Sequence, residues 1–398
     1  MTNIAKLIPD GDPLAPWEGR LTDPGSPPVR RAWAATRLVM APSYASIAHQ
    51  PQEQTDPAEL LPHVDWQATD DLRRRMDQAG LGVAEAMDTA QRFRIGWDIA
   101  AKLIERTSKL GLTQCFIAGA ASDHAPRAQS PRDLGRAVAE QVRYINLAGG
   151  IPMVLPMVQL AQRNAPPQDY IAAFDAILEH SDGVLLVHWL GAAFHPDLEA
   201  YFPGDSFEQV MALDRQRIAG VKLSLLDAAQ EVKLRRELLQ HGQVVLTGDD
   251  LHFAQLVAGT RSKAQGMRLL GGAPLPLGDF SHALLGILDA AWRPFALALR
   301  LLSEGDREGY DEVAQLAESL GRQVFSAPTS AYKAGLAFRG WLAGEQETLL
   351  LAGHEETLRT APHLLEVARL AAAAGALGDP LAARRRLQQW LNRHAHDR

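Results

Sequence analysis

The chain has 398 residues, 46% hydrophobic and 22% charged, enough apolar material for a large core and too much for disorder to be the main theme. A formal net charge of -7, with no Lys/Arg-rich amphipathic stripe, argues against nucleic-acid and membrane-surface partners. The single cysteine, Cys115, allows neither an internal disulfide nor a multi-Cys zinc site, which fits a reducing cytoplasm, and neither a signal segment nor a membrane-spanning apolar run is expected.

Residues 8 to 30 are rich in Pro, Gly and Asp, so residues 1–34 are expected to form an irregular N-terminal arm. Short apolar runs then recur at Thr36–Ser43, Leu81–Met87, Thr113–Ala120, Gly150–Pro156, Asp182–Gly191, Ile218–Ser224, Gly242–Asp250 and Met267–Gly272. Amphipathic segments such as Asp65–Gln78, Arg94–Lys109, Pro131–Leu147 and Asp169–His180 lie between them. Apolar strands buried on both faces, each followed by a helix, predict a parallel α/β sheet. Eight such units predict a closed (β/α)8 TIM barrel over residues 35–305. Neither G-x-G-x-x-G nor G-x-x-x-x-G-K-[ST] occurs in this pattern to suggest a nucleotide site. After Leu302 the strand signal stops, and Asp306–Phe325, Ala331–Leu342 and His354–Ala374 read as helices. A break at Asp379-Pro380 precedes a last basic helix, whose Arg384, Arg385 and Arg386 read as a solvated face. Residues 306–398 are therefore expected to form a C-terminal helical extension.

Barrel enzymes place their chemistry at the C-terminal ends of the strands. The polar residues there are Glu85, Asp88 and Thr89; Ser122, Asp123 and His124; His188; Lys222 and Ser224; and Thr247, Asp249 and Asp250. Lys222 sits inside an apolar strand, where desolvation lowers an amine from about 10.4 toward neutrality and makes it nucleophilic. A structural lysine paired with an acid such as Asp249 is the other reading of the same residue. Asp249 and Asp250 precede a helix expected at Leu251–Ala258, so one of them caps it. That role is assigned to Asp250, leaving Asp249 for Lys222 or a substrate hydroxyl. A rival constellation of Glu85, Asp88, Asp123, His124 and His188 has the donor types of an O/N metal site, although no His-x-His or His-x-x-x-His pair supports it. His195 and His252 lie past the strand ends, as loop or helix residues.

The segment VDWQATDDLRRRMDQAGLGVAEAMDTAQ resembles the opening barrel unit of the dihydrodipicolinate synthase and N-acetylneuraminate lyase superfamily. CFIAGAASD, DGVLLVHWLG, AGVKLS, VVLTGDD and FSAPTSAYKAGLAF resemble later segments of that family in the correct order, covering roughly residues 35 to 340. The resemblance implies that Lys222 is a Schiff-base lysine. Three departures accompany it. Asp88-Thr89 stands where the family usually has a carboxylate-binding Thr-Thr pair, so a neutral, sugar-derived or polyhydroxylated keto compound suits the site better than pyruvate. Val187-His188 replaces a Tyr-Asn dipeptide, which makes His188 the expected proton relay. Leu155–Gln159 carries no tyrosine, which puts a tyrosine relay in question.

The expectation is a Schiff-base lyase, an aldolase or dehydratase, acting on a small keto compound without a cofactor. Lys222 and His188 are its catalytic pair. Asp88, Thr89, Ser224, Thr247, Gly248 and Asp249 bind the substrate. The resemblance also implies a homo-oligomer. A metal-dependent sugar isomerase or aldolase and a non-catalytic ligand-binding barrel stay open as alternatives.

Overall fold

The computed structural model describes residues 4–22, 28–51, 55–128, 130–260 and 263–394. Eight parallel strands close into a barrel: β1 (Ala32–Ala35), β2 (Gly82–Glu85), β3 (Ile117–Ala120), β4 (Ile151–Val154), β5 (Leu185–Leu190), β6 (Ile218–Ser224), β7 (Val244–Thr247) and β10 (His282–Leu285). Between β7 and β10 the chain makes an antiparallel hairpin, β8 (Gly266–Leu270) with β9 (Ala273–Leu277). Around the barrel each strand pairs with its sequence neighbour, β10 closing the ring between β7 and β1. The fold is a (β/α)8 barrel with C-terminal helices, as expected.

Two strands differ in place from the expectation. The first barrel strand is Ala32–Ala35, ahead of the apolar run at Thr36–Ser43. Its Ala-Trp-Ala-Ala composition carries little strand propensity, whereas Leu38 and Met40 are apolar because they pack with Tyr44, Leu60 and Ile99 in a separate outer cluster. The eighth barrel strand is His282–Leu285, and the expected Met267–Gly272 run belongs to the hairpin. Leu270 and Leu275 of that hairpin join Trp33, Ile117, Ile151 and Val244 in the interior cluster. Arg268 donates to the Gln216 and Gly242 carbonyls, which precede β6 and β7, so the hairpin closes the N-terminal end of the barrel.

Helix boundaries follow local chemistry. Asp65 accepts from the Ala68 amide to cap Trp66–Gln78, and Ser130 with Asp133 forms a capping box ahead of Pro131–Leu147. The C-terminal extension includes helices Arg307–Val324, Tyr332–Leu342, Ala361–Ala373 and Pro380–His394. It is fastened to the barrel by buried ion pairs, in which Arg37, just past β1, meets Asp289 and Glu345 while Arg339 holds Glu345 at 2.6 Å. The N-terminal arm is more ordered than its composition predicts, with short helices at Ile4–Leu7 and Glu18–Thr22. Ile8 and Leu14 are fully buried, Arg293 pairs with Asp12 at 2.6 Å, and Arg384 of the last helix donates to the Ile8 carbonyl at 2.5 Å, so the arm gains its order by packing on the last barrel helix and the helical extension. Among the described residues no helix is long and apolar enough to cross a membrane.

Candidate active site

Strand pleating decides which polar residues enter the barrel. On β6, Val221 and Leu223 pack outward against the helices, so Lys222 and Ser224 face in. Lys222 lies opposite His188 on β5 and opposite Leu246 on β7. The inward positions of β7 and its continuation are therefore Leu246, Gly248 and Asp250. Gly248 has no side chain for a spatial reason: a Cβ there would stand 2.1 Å from Ser224 Oγ and 2.7 Å from Lys222 Cε. The glycine makes room for the lysine to lie across β7.

The roles expected for the two aspartates are exchanged. Asp249 faces outward, where its Oδ1 accepts from the Leu251 and His252 amides at 2.9 and 3.1 Å and its Oδ2 lies 2.9 Å from His252 Nδ1. It caps the turn that leads into a helix at Phe253–Ala258, two residues later than expected. Asp250, together with Asp88, is close enough to favour the Lys222 ammonium. Its Oδ1 accepts the Ile287 amide at 2.7 Å, which fixes the carboxyl inside the barrel. Thr247 also faces out, donating to Glu231 at 2.9 Å, and so is removed from the substrate wall. Glu231 is pushed up to about 7 by burial, opposed by hydrogen bonds from Ser281 and Thr247.

Burial lowers the Lys222 amine, while Asp250 and Asp88 oppose that shift by favouring the ammonium. Burial raises the Asp250 carboxyl in turn. Lys222 opposes that rise, so each group's charge favours the charged form of the other. His188 is held well below the usual histidine range, first by burial and then by Lys222. Its Nε2 lies 3.1 Å from Ser224 Oγ, and its buried Nδ1 has no partner among the described residues. Burial and Lys222 both disfavour the imidazolium, so His188 is a weak base, and the expected relay role narrows to holding Ser224.

The C-terminal extension roofs this cluster with two residues that strand-end reasoning did not supply. The Tyr332 hydroxyl is 2.9 Å from Asp88 Oδ2 and 3.1 Å from Thr89 Oγ1, and it stays protonated because burial and then Asp88 raise it well above 10. Lys333 Nζ lies 3.2 Å from the same Asp88 oxygen. Phe325 stacks on Tyr332 at 4.3 Å, and Gly286 leaves room for that pair, since a Cβ there would stand 2.8 Å from the Phe325 ring. Asp88 and Lys333 also line a cavity of about 360 Å³, bordered by Phe93, Leu190, Phe194 and His195. This is at the small end of the roughly 300–1,000 Å³ typical of ligand sites. Asp88 thus joins the cavity to Lys222, while Thr89 is turned away into the roof.

The rival metal constellation does not assemble. Glu85 faces outward between two helices, where both oxygens meet Arg73 and Thr107 donates to it at 2.7 Å. Asp123 is paired with Arg92 at 2.8 Å, and His124 lies between Glu140 and Gln141. Ser122 bonds to Gln159. Among the described residues no three His, Cys, Asp or Glu side chains converge to hold a metal. The parity of β2 alone sends Glu85 out of the barrel.

The family described as "Protein of unknown function (DUF993)" matches residues 19–395. The chain belongs to that family. No curated protein is similar to this DUF993 member. Its fold is that of solved dihydrodipicolinate synthase and N-acetylneuraminate lyase structures. A dihydrodipicolinate synthase family protein from Coccidioides immitis is 16% identical, with a TM-score of 0.58 over 89% of this chain and 98% of that one. A prophage protein of the dihydrodipicolinic acid synthase family from E. coli K12, solved with pyruvate, is 12% identical with a TM-score of 0.59 over 87% and 99%. A sialic acid aldolase from Ruminococcus gnavus is 12% identical with a TM-score of 0.56 over 87% and 98%.

Proposed function

We propose that this DUF993 protein is a Schiff-base-forming lyase that acts on a small, neutral, hydroxylated keto compound, breaking or making a C–C or C–O bond. The observation that carries the reading is Lys222, an amine lowered by burial and facing a buried carboxyl, Asp250, inside the barrel. The fold it shares with sialic acid aldolase, which was also solved as a catalytic lysine mutant, supports the same chemistry.

In the proposed reaction the neutral Lys222 amine adds to the substrate carbonyl carbon, and the carbonyl oxygen becomes a hydroxyl. Protonated Asp250 gives its proton to that hydroxyl, which leaves as water, and an iminium remains. The iminium withdraws electrons from the adjacent carbon, so that a neighbouring C–C or C–O bond can break. Asp88, held by Tyr332 and Lys333, accepts from a substrate hydroxyl. Asp250, left as a carboxylate, takes up the proton that bond cleavage releases, and neutral His188 orients Ser224. Because Lys333 already offsets the Asp88 charge, the cavity rim is close to neutral, in keeping with an uncharged substrate.

Borohydride reduction in the presence of a panel of keto compounds, followed by peptide mass spectrometry, tests this reading. The expected result is a stable adduct on Lys222 with at least one hydroxylated ketone, formed faster than with pyruvate. No adduct from any carbonyl compound would overturn the Schiff base. Preferential trapping of pyruvate would overturn the neutral substrate.

A further inference from the structure

At the N-terminal end of the barrel a cavity of about 340 Å³ lies between the hairpin tip and the starts of three strands. Arg31 precedes β1, Cys115 precedes β3 and Ile151 begins β4, while Leu270, Leu275 and the turn between them form the facing wall. Gly271 and Gly272 have φ of +57° and +78°, as a tight two-residue hairpin turn requires, and a Cβ on Gly271 would stand 2.9 Å from Cys115 Sγ. The glycines therefore let the hairpin tip close against Cys115. Trp33, Ile151, Leu270 and Leu275 belong to the interior apolar cluster, with Cys115 packed against it, so most of the wall is hydrocarbon. Barrel chemistry sits at the opposite ends of the strands, and the reaction just described makes no use of this space.

Arg31 is the one charged side chain on that wall among the described residues, and it also borders a second cavity of about 570 Å³ on its other side. Its backbone N–H donates to His282 Nδ1 at 2.9 Å, but its guanidinium has neither a hydrogen bond nor an ion pair among the described residues. The polar neighbours are committed elsewhere. Asp77 Oδ1 accepts the Thr113 hydroxyl at 2.7 Å and the Thr113 amide at 2.9 Å, and Gln114 Nε2 donates to the Gly80 carbonyl at 2.6 Å. Burial lowers Arg31 from the ordinary arginine range, and no carboxylate opposes that shift. A guanidinium keeps its proton in a protein, so a half-buried positive charge remains without a counter-charge. Its nitrogens are not sealed off, since each keeps accessible surface through which a ligand can reach it.

We infer that this cavity binds a small carboxylate with an apolar or aromatic body, its anion paired with Arg31 and its body packed among Trp33, Ile151, Leu270 and Leu275. The planar guanidinium matches a carboxylate through two parallel N–H···O bonds. Hydrocarbon walls suit the rest of such a ligand and disfavour an ion that is polar throughout, such as phosphate. The cavity is at the small end of the roughly 300–1,000 Å³ of ligand sites, which sets the size of the molecule. The site lies at the opposite end of the barrel from Lys222 and does not depend on the Schiff-base reading.

Three probes separate charge from body: 3-phenylpropionate, which has both, 3-phenyl-1-propanol, which lacks the charge, and acetate, which lacks the body. In calorimetric titration 3-phenylpropionate is expected to bind about tenfold more tightly than either of the others, the worth of one charge-assisted hydrogen bond. Arg31→Gln is expected to weaken 3-phenylpropionate by about the same factor and to leave the alcohol unchanged. Cys115 is the only cysteine of the chain and lines the cavity, so its alkylation by iodoacetamide reports occupancy. Saturating 3-phenylpropionate is expected to slow that alkylation severalfold in the parent protein, a measurement that stands even where Arg31→Gln fails to fold. No binding of 3-phenylpropionate, equal binding to the parent and to Arg31→Gln, or unchanged alkylation at saturation would overturn the site. Acetate binding as tightly as 3-phenylpropionate would overturn the apolar body.

Discussion

The two ends of the barrel are both buried, yet they are built from opposite materials. At the N-terminal end the hairpin presses Leu270 and Leu275 onto Trp33, Ile117 and Ile151, so that side-chain hydrocarbon closes the interior. At the C-terminal end β5, β6 and the continuation of β7 present His188, Lys222, Ser224 and Asp250 to one another beneath Tyr332 and Lys333. Burial at the first end stabilises the fold, and burial at the second shifts proton affinities. One end can be altered with a loss of stability and the other with a loss of chemistry, and that separation is open to test.

The largest expected effect is at the polar end. Lys222→Ala should abolish borohydride trapping and lower turnover by about a thousandfold or more, with the folded structure retained by circular dichroism. Residual turnover within tenfold of the parent would remove Lys222 from the mechanism. Gly248→Ala should be next, because its Cβ would strike Ser224 Oγ and Lys222 Cε. Displacing the amine is expected to lower kcat about a hundredfold, with an overpacking cost of about 1–3 kcal/mol seen in chemical denaturation.

At the apolar end, Leu275→Ala should lower stability by about 2–5 kcal/mol, measured from the denaturant midpoint, while kcat per folded molecule stays within twofold. A fall in kcat without a fall in stability would break the distinction between the two ends. The smallest effect expected is on pH dependence. The trapping rate should rise with pH as Lys222 loses its proton, with a midpoint below that of a free lysine because burial disfavours the ammonium. Asp250→Asn removes a charge that favours the ammonium, so it should move that midpoint lower still, by about one pH unit or less. A shift to higher pH would mean that Asp250 does not act on the amine.

How much of this was legible in the sequence depended on whether the signal was local. Pro131–Leu147 was readable to the residue, because its hydrophobic period and its Ser-Pro-x-Asp start are contained within the helix itself. Lys222 was readable because an ionisable residue inside an apolar strand stands out. Asp250 was not legible, because what puts positions 248 and 250 on the Lys222 face is the pairing of Lys222 with Leu246 across two strands. Asp249 was preferred instead because both aspartates sit beside a helix start, and composition does not distinguish the capping residue from the one facing the barrel. The eighth strand was misplaced because the hairpin sequence is as apolar as a barrel strand, and its partners lie at the far end of the molecule.

Composition and periodicity by themselves determined six of the eight barrel strands, the helical extension and the awkward position of Lys222, because strand and helix patterns are written over a few consecutive residues. Only the tertiary structure decided what surrounds that lysine. Asp88 meets Tyr332 and Lys333 across more than 240 residues of chain, and the register of β6 against β7 selects Asp250 over Asp249. Such contacts depend on packing between distant segments, and no local pattern encodes them.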